Sequence, residues 1–273
     1  MVPNNSQLYF SIPRHLWKAN IVYAFLLPLS DNYTDWELGI VYAIKESQKL
    51  PKQNSAAIDL GIENFVTIAC NNGATIIVDG RRLKNILYFD YGKQHKEGYA
   101  AKDRIHRNNR VNDYVKKCVK IVMDFLAQNE VSNLYIGINV LNAIKRTKLK
   151  IQSLWSDFLF SKFVTDIKAK CNIAGIYVAE VDEAYTSQAS FIDKDSPPQY
   201  ITGRKHPFSG RRKKRGLYVS KNGVTINADV NGALNILVKG CLYSRSVYSH
   251  LQDNPKLIQT PKRIDPLRAG ERQ

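Results

Sequence analysis

The chain has 273 residues, 44% of them hydrophobic, which suffices for one substantial core and a small accessory unit. Lys and Arg number 40 against 24 Asp and Glu, a net charge of +16 that favours a polyanionic partner, most simply nucleic acid. No membrane-spanning helix is expected, because the longest apolar runs, such as residues 21–29, fall far short of the roughly 20 residues one needs.

The opening Met1-Val2-Pro3-Asn4-Asn5 has no basic stretch followed by an apolar one, so no signal peptide is expected. Residues 1–54 read as short strands at 8–12, 21–26 and 36–43, rich in β-branched and aromatic residues. They suit part of a small β-barrel or an added sheet, with 49–54 as a linker. From residue 55 the pattern changes. Residues 56–69 read as a strand interrupted at Gly61-Ile62-Glu63-Asn64, joined by the turn Asn71-Asn72-Gly73 to a strand at 74–78. A third strand is expected near 86–89.

Val111, Val115, Val119, Val122 and Leu126 recur at helical spacing, with Arg104, Arg107 and Arg110 on the N-terminal extension of that helix. Residues 133–138 read as a buried strand. Trp155, Leu159, Phe163, Ile167 and Cys171, four apart, predict a second helix. A further strand covers 175–181. A last helix starts near Ala228 and is ended by Gly240. Beyond it, Pro255, Pro261 and Pro266 predict a tail that is partly disordered or docked as an extended strand. Strands alternating with helices after an antiparallel start predict a mixed α/β sheet with flanking helices, and the order matches the RNase H-like fold. The expected divisions are a β segment at 1–54, an α/β domain at 55–240 carrying a basic insertion at 188–226, and a tail at 241–273.

Three carboxylates stand at the edges of apolar elements. Asp59 follows Ala56-Ala57-Ile58 and precedes Gly61; it is either a metal ligand or a solvent-facing turn residue. A bare Asp inside such a strand is costly unless cations or donors satisfy it. Asp229, in Asn227-Ala228-Asp229-Val230-Asn231, is either a second ligand or a first-turn helix acid. Glu183 continues the alternation of Ala179 and Val181 toward the core, or else marks an exposed acidic strand end. Three converging carboxylates would bind a pair of hard cations, Mg²⁺ or Mn²⁺, and clamp the attacking and leaving oxygens of a phosphodiester. Cys70, Cys118, Cys171 and Cys241 form no C-x-x-C pair. No zinc is therefore expected, and the thiols suit a reducing cytoplasm.

These segments resemble the TnpB (OrfB) proteins of bacterial insertion sequences. The similarity rests on Ile58-Asp59-Leu60-Gly61-Ile62-Glu63-Asn64, on Tyr185-Thr186-Ser187, and on the run from Asn227 through Asn231-Gly232-Ala233-Leu234-Asn235-Ile236, which occur in the family's order. The resemblance implies a RuvC-type nuclease domain that cuts DNA under the guidance of RNA, in a bacterial cytoplasm. It implies Asp59, Glu183 and Asp229 as metal-holding catalytic residues. Two departures stand out. Most of the family carries its second catalytic Glu at the end of the fourth strand, where this chain reads Ile136-Gly137-Ile138-Asn139. Glu183, one strand further out, takes that role here. The family's cysteine pairs after Y-T-S are missing. A truncated or nuclease-inactive DNA- or RNA-binding protein is the alternative reading.

Residues 203–221 contain eight Lys or Arg and no acid. Arg211, Arg212, Lys213, Lys214 and Arg215 read either as a solvated loop or as a phosphate clamp beside the carboxylates. Arg104, Arg107, Arg110, Lys145, Arg146, Lys148 and Lys150 would extend the track. The hydroxyls of Tyr185, Thr186 and Ser187 could contact phosphate or orient ligands. Tyr185, Phe208 and Tyr218 could stack bases or pack in the core.

Overall fold

The computed structural model describes residues 11–28, 36–43, 51, 54–94, 101–138, 151–199, 206–241 and 246–269. The chain divides into two compact units, Met1–Ser47 and Gln48–Gln273. The first contains an antiparallel hairpin of β1 (Asn20–Pro28) and β2 (Trp36–Ala43).

The second unit is built on a six-stranded sheet. Its strands are β3 (Asn54–Leu60), β4 (Asn64–Cys70), β5 (Thr75–Asp79), β6 (Val131–Ile138), β7 (Tyr177–Asp182) and β11 (Lys262–Ile264), in the order β11-β5-β4-β3-β6-β7. The β3–β4 and β4–β5 pairs are antiparallel. The β3–β6, β6–β7 and β11–β5 pairs are parallel. An antiparallel start followed by two parallel strands on the far side of β3 is the RNase H-like arrangement. β3 is central, and Ala56, Ala57 and Ile58 are fully buried because both faces of the sheet are covered.

Helices α1 (Arg81–Gln94), α2 (Ala101–Gln128) and α3 (Ile151–Ile173) supply one face. Their Leu83, Val115, Val122, Leu126, Phe163 and Ile167 pack on Ile58, Phe65, Ile68 and Ile136. Helix α4 (Ala228–Gly240) covers the other face through Val230, Ala233, Leu234 and Leu237 against Ala57, Ala69 and Ile77. The alanines on the strands let this helix approach closely. No helix among the described residues is long and apolar enough to cross a membrane.

The structure corrects two strand assignments. Residues 56–69 are two strands, β3 and β4, parted at Gly61-Ile62-Glu63, and the third antiparallel strand is β5. Residues 86–89 lie in helix α1. Gly80 breaks the chain from β5, where an added Cβ would stand 2.2 Å from the Ile62 carbonyl, and Leu83 and Ile86 then bury one helical face. After Gly240 come helices α5 (Ser246–Asp253) and α6 (Lys256–Gln259) and the edge strand β11. Leu251 and Ile258 are fully buried with the core of α4, so this tail has its own apolar anchors.

The basic insertion forms a separate small sheet of β8 (Arg211–Lys214), β9 (Leu217–Val219) and β10 (Thr225–Asn227), all antiparallel. Two carboxylates staple its base. Asp195 accepts from the Ser190 and Ser209 backbone N–H groups at 2.8 and 3.0 Å and from the Ser209 hydroxyl at 2.7 Å. Asp193 accepts from the Ser190 hydroxyl at 2.6 Å and the Lys221 N–H at 2.9 Å. Satisfied carboxylates of this kind fix a loop where the chain has no cysteine pairs.

Phe163 is fully buried and meets Phe65 edge-on at 5.3 Å between ring centroids. Phe163→Ala is expected to destabilise the second unit by about 3–5 kcal/mol, read from chemical denaturation.

Candidate active site

Asp59 is the penultimate residue of β3 and shares a face with Ala57, the face that α4 covers. Helix α4 crosses it at Gly232, where a Cβ would lie 2.5 Å from Asp59 Oδ2. Glycine at 232 is thus what lets a carboxylate fit between strand and helix. Asp229 lies one turn earlier. Asn227 caps the helix by accepting from the Asp229 and Val230 N–H groups at 2.9 and 3.2 Å, which fixes the first turn and with it the Asp229 side chain.

Glu183 follows the last residue of β7. Its N–H donates to the Ile138 carbonyl at 3.1 Å, extending the parallel ladder with β6. Tyr185 then adopts φ 63°, and the turn it makes brings the Thr186 N–H and hydroxyl onto the Glu183 carbonyl at 3.1 and 2.8 Å. Lys239 of α4 holds the same turn from below, donating to the Ala184 and Pro198 carbonyls at 3.1 and 3.2 Å and standing 3.6 Å from Asp182. Asn235 donates to the Thr186 and Ala189 carbonyls, and Asn231 donates to Ala189 and accepts from the Phe191 N–H, so α4 carries both Asp229 and the loop after Glu183.

Gly137, near the end of β6, where the resemblance leads one to expect an acid, is crowded by α4. A Cβ on Gly137 would stand 2.4 Å from Ile236 Cδ1 and 3.3 Å from the Ile58 carbonyl. Helix α4 lies directly on β6 at this point, and a glutamate does not fit without displacing Ile236.

The three carboxylates act on one another. The Asp59 carboxyl is held well above the usual carboxylate range, first by burial and then by repulsion from Glu183 and Asp229, with Arg212 opposing. They do not stand as a closed ligand set: among the described residues no group of three His, Cys, Asp or Glu is arranged to hold a metal. A cavity of about 410 Å³ opens in front of Asp59 and Asp229, and Glu183 is not part of its lining. Arg81, Arg212, Arg215 and Arg263 surround it. Arg212 lies 3.6 Å from Asp229 Oδ1, and Arg215 lies 3.0 Å from Glu63. Thr67, directly opposite Asp59 in the β3–β4 ladder, lines the same cavity with a buried hydroxyl that has no protein partner. A half-buried acid under mutual repulsion, facing a polar cavity with an unpaired hydroxyl, suits a hard divalent cation.

The remaining expected site residues fall into three groups. Arg211, Arg212, Lys213, Lys214 and Arg215 are exposed on β8 and the turn after it, as are Ser187 and Arg110. Arg107, by contrast, is 6% exposed and bonds to Asn108, because its position on α2 turns it inward, four residues before Val111; it is not part of an exposed track. Thr186 is buried with its hydroxyl committed to Glu183. Tyr218 is also buried and donates to the Gln188 carbonyl at 2.7 Å, so it packs the small sheet rather than offering a face to bases. Tyr185 is half-buried against His206 and Phe208. The Arg104 side chain and Lys145, Arg146, Lys148 and Lys150 lie outside the described residues. Thr67, Arg263 and Lys239 had no signal in the motifs, and Asn64 closes the first motif with no role assigned to it there. Asn231 and Asn235 had one: two polar residues four apart in an otherwise apolar helix.

The family model of the Cas12f1-like TNB domain matches residues 160–236, the stretch from α3 through the carboxylate-bearing turn, the insertion and into α4. The TnpB-like protein ORF457 of Acidianus two-tailed virus is 26% identical over 257 residues, covering 85% of this chain and 52% of its own length. The chain is thus similar to a TnpB-like protein over most of its length. Among solved structures it is similar to Cas12f1 in complex with sgRNA and target DNA, with a TM-score of 0.47 and 17% identity over 74% of this chain and 53% of that one. It is also similar to a CRISPR-Cas12f ternary complex, with a TM-score of 0.41 and 16% identity over 81% of this chain and 46% of that one. The chain spans about half the length of these relatives.

A carboxyl that holds its proton more tightly in the folded state stabilises the fold below its unfolded pKa, and that contribution is lost as pH rises through the folded value. The metal-free protein is therefore expected to lose thermal stability as pH rises from the ordinary carboxylate range to neutrality. Asp59→Asn should flatten that slope and raise the Tm at neutral pH, measured by calorimetry across pH in EDTA.

Proposed function

We propose that the chain supplies the nuclease domain of a TnpB-like, RNA-guided DNA endonuclease that hydrolyses phosphodiesters with two Mg²⁺ or Mn²⁺ ions. The observation that carries this is the Asp59 carboxylate: half-buried, repelled by Glu183 and Asp229, and lining an arginine-rimmed cavity. An acid so placed has reason to exist only if cations relieve it in the working state. Asp59, Glu183 and Asp229 are the ligands, with Glu183 serving where β6 carries Gly137 in place of an acid. When bound, the ions supply the positive charge that activates a water and stabilises the charge developing on the scissile phosphate.

The chain's own residues do the rest. β3 and α4 fix Asp59 and Asp229 on rigid elements, and the Tyr185 turn fixes Glu183. The exposed Arg211, Lys213 and Lys214 hold backbone phosphates of a DNA strand or guide RNA, and Arg212 and Arg215 face the cavity where the strand would enter. Arg212, 3.6 Å from Asp229, offsets part of the negative charge at the site.

Cleavage of labelled single-stranded DNA, with Mg²⁺ or Mn²⁺ and with or without RNA co-purified from the host, is the test. Asp59→Ala, Asp229→Ala and Glu183→Ala are each expected to lower the rate by about 100-fold or more, since each removes several kcal/mol of transition-state stabilisation. EDTA should abolish it. Cleavage that survives in Glu183→Ala would remove Glu183 from the ligand set. Tight, salt-sensitive binding with no cleavage under any condition would instead favour a nucleic-acid-binding protein.

A further inference from the structure

Asp229 is held from the far edge of the sheet. Asn64, the first residue of β4, donates its side-chain N–H to Asp229 Oδ2. The Asn64 carbonyl oxygen accepts from Arg263 Nη1 at 2.8 Å. Arg263 belongs to β11, where it pairs with Ile77 of β5, and its guanidinium also lies 3.5 Å from Asp79 Oδ2. Asp79 is buried, ends β5 and faces Asn64 across the β4–β5 ladder.

An amide has unlike ends. With a guanidinium on one side and a carboxylate on the other, only one orientation of the Asn64 side chain satisfies both. Arg263 therefore decides which way Asn64 points, and Asn64 decides which oxygen of Asp229 is taken. Oδ2 is bound, and Oδ1, with Arg212 3.6 Å away, is left for exchange with a cation.

We propose that Asn64 and Arg263 are positioning residues that aim the Asp229 carboxylate, which makes the C-terminal edge strand β11 part of the active site. This rests on the reading of Asp229 as a metal ligand. Outer partners of this kind, which orient a ligating group without touching the metal, typically govern affinity by about 10- to 100-fold. The competing role for Arg263 is to hold β11 on the sheet, and that role predicts a change in stability with no change in metal binding.

The test is a Mn²⁺ titration of the purified full chain, following free Mn²⁺ by electron paramagnetic resonance, with Tm measured alongside. Arg263→Ala and Asn64→Ala are each expected to weaken Mn²⁺ binding by about 10- to 100-fold. Arg263 is 43% exposed, so Tm should shift little in its variant. Because the two act in series, the double variant should bind no more weakly than Asn64→Ala alone. Arg263→Lys, which keeps a donor within reach of the Asn64 oxygen, should restore part of the affinity. Wild-type affinity in Arg263→Ala, or losses that add in the double variant, would overturn the relay. A wild-type chain that binds Mn²⁺ no better than Asp59→Ala would overturn the metal assignment itself, and the relay with it.

Discussion

The structure turns on one crowded contact, the carboxylate of Asp59 pressed against Gly232 of α4. A strand carrying an acid toward a helix is an expensive arrangement, because burial and two neighbouring carboxylates all oppose its ionisation. Everything around it serves the approach. Ala57 and Ala69 keep the sheet surface low, and Gly232 and Ala233 keep the helix surface low. The same closeness that admits Asp59 at Gly232 crowds Gly137 against Ile236, four residues further along the helix.

Helix α4 is also the element through which distant parts of the chain reach the site. Its N-terminus carries Asp229, its buried Asn231 and Asn235 hold the loop that follows Glu183, and its last turn sends Lys239 under the same loop. Burial lowers the readiness of Lys239 to stay charged, while Asp182 works the other way. A helix held by so many specific polar bonds has one register on the sheet, and a single register is what a site built from three separate elements requires.

The basic insertion shows how an exposed positive surface is made rigid without metal ligands. Asp193 and Asp195 close its base with backbone and hydroxyl donors, Tyr218 fills its interior, and β8 is left to project five consecutive cationic side chains with their following turn. Arg212 and Arg215 sit between the two charge systems, each close to an acid of the cavity. Charges of opposite sign at that border allow the same arginines to rest on carboxylates or to meet phosphate.

The sequence by itself determined the alternation of elements and the helical faces of α2 and α3, and it singled out Asp59, Glu183 and Asp229 as candidates, because periodicity and the short motifs are local properties of the chain. It misread residues 86–89, since a short apolar run suits strand or helix until the turn at Gly80 and the buried partners of Leu83 and Ile86 are known. It could not separate Arg107 from Arg110, because helical phase relative to the sheet is a property of packing. Only the tertiary structure decided that Gly137 lies beneath Ile236, that Thr67 stands across from Asp59, and that Arg263 reaches Asn64 across 199 positions of sequence. Those facts depend on distances between elements, and no residue carries them alone.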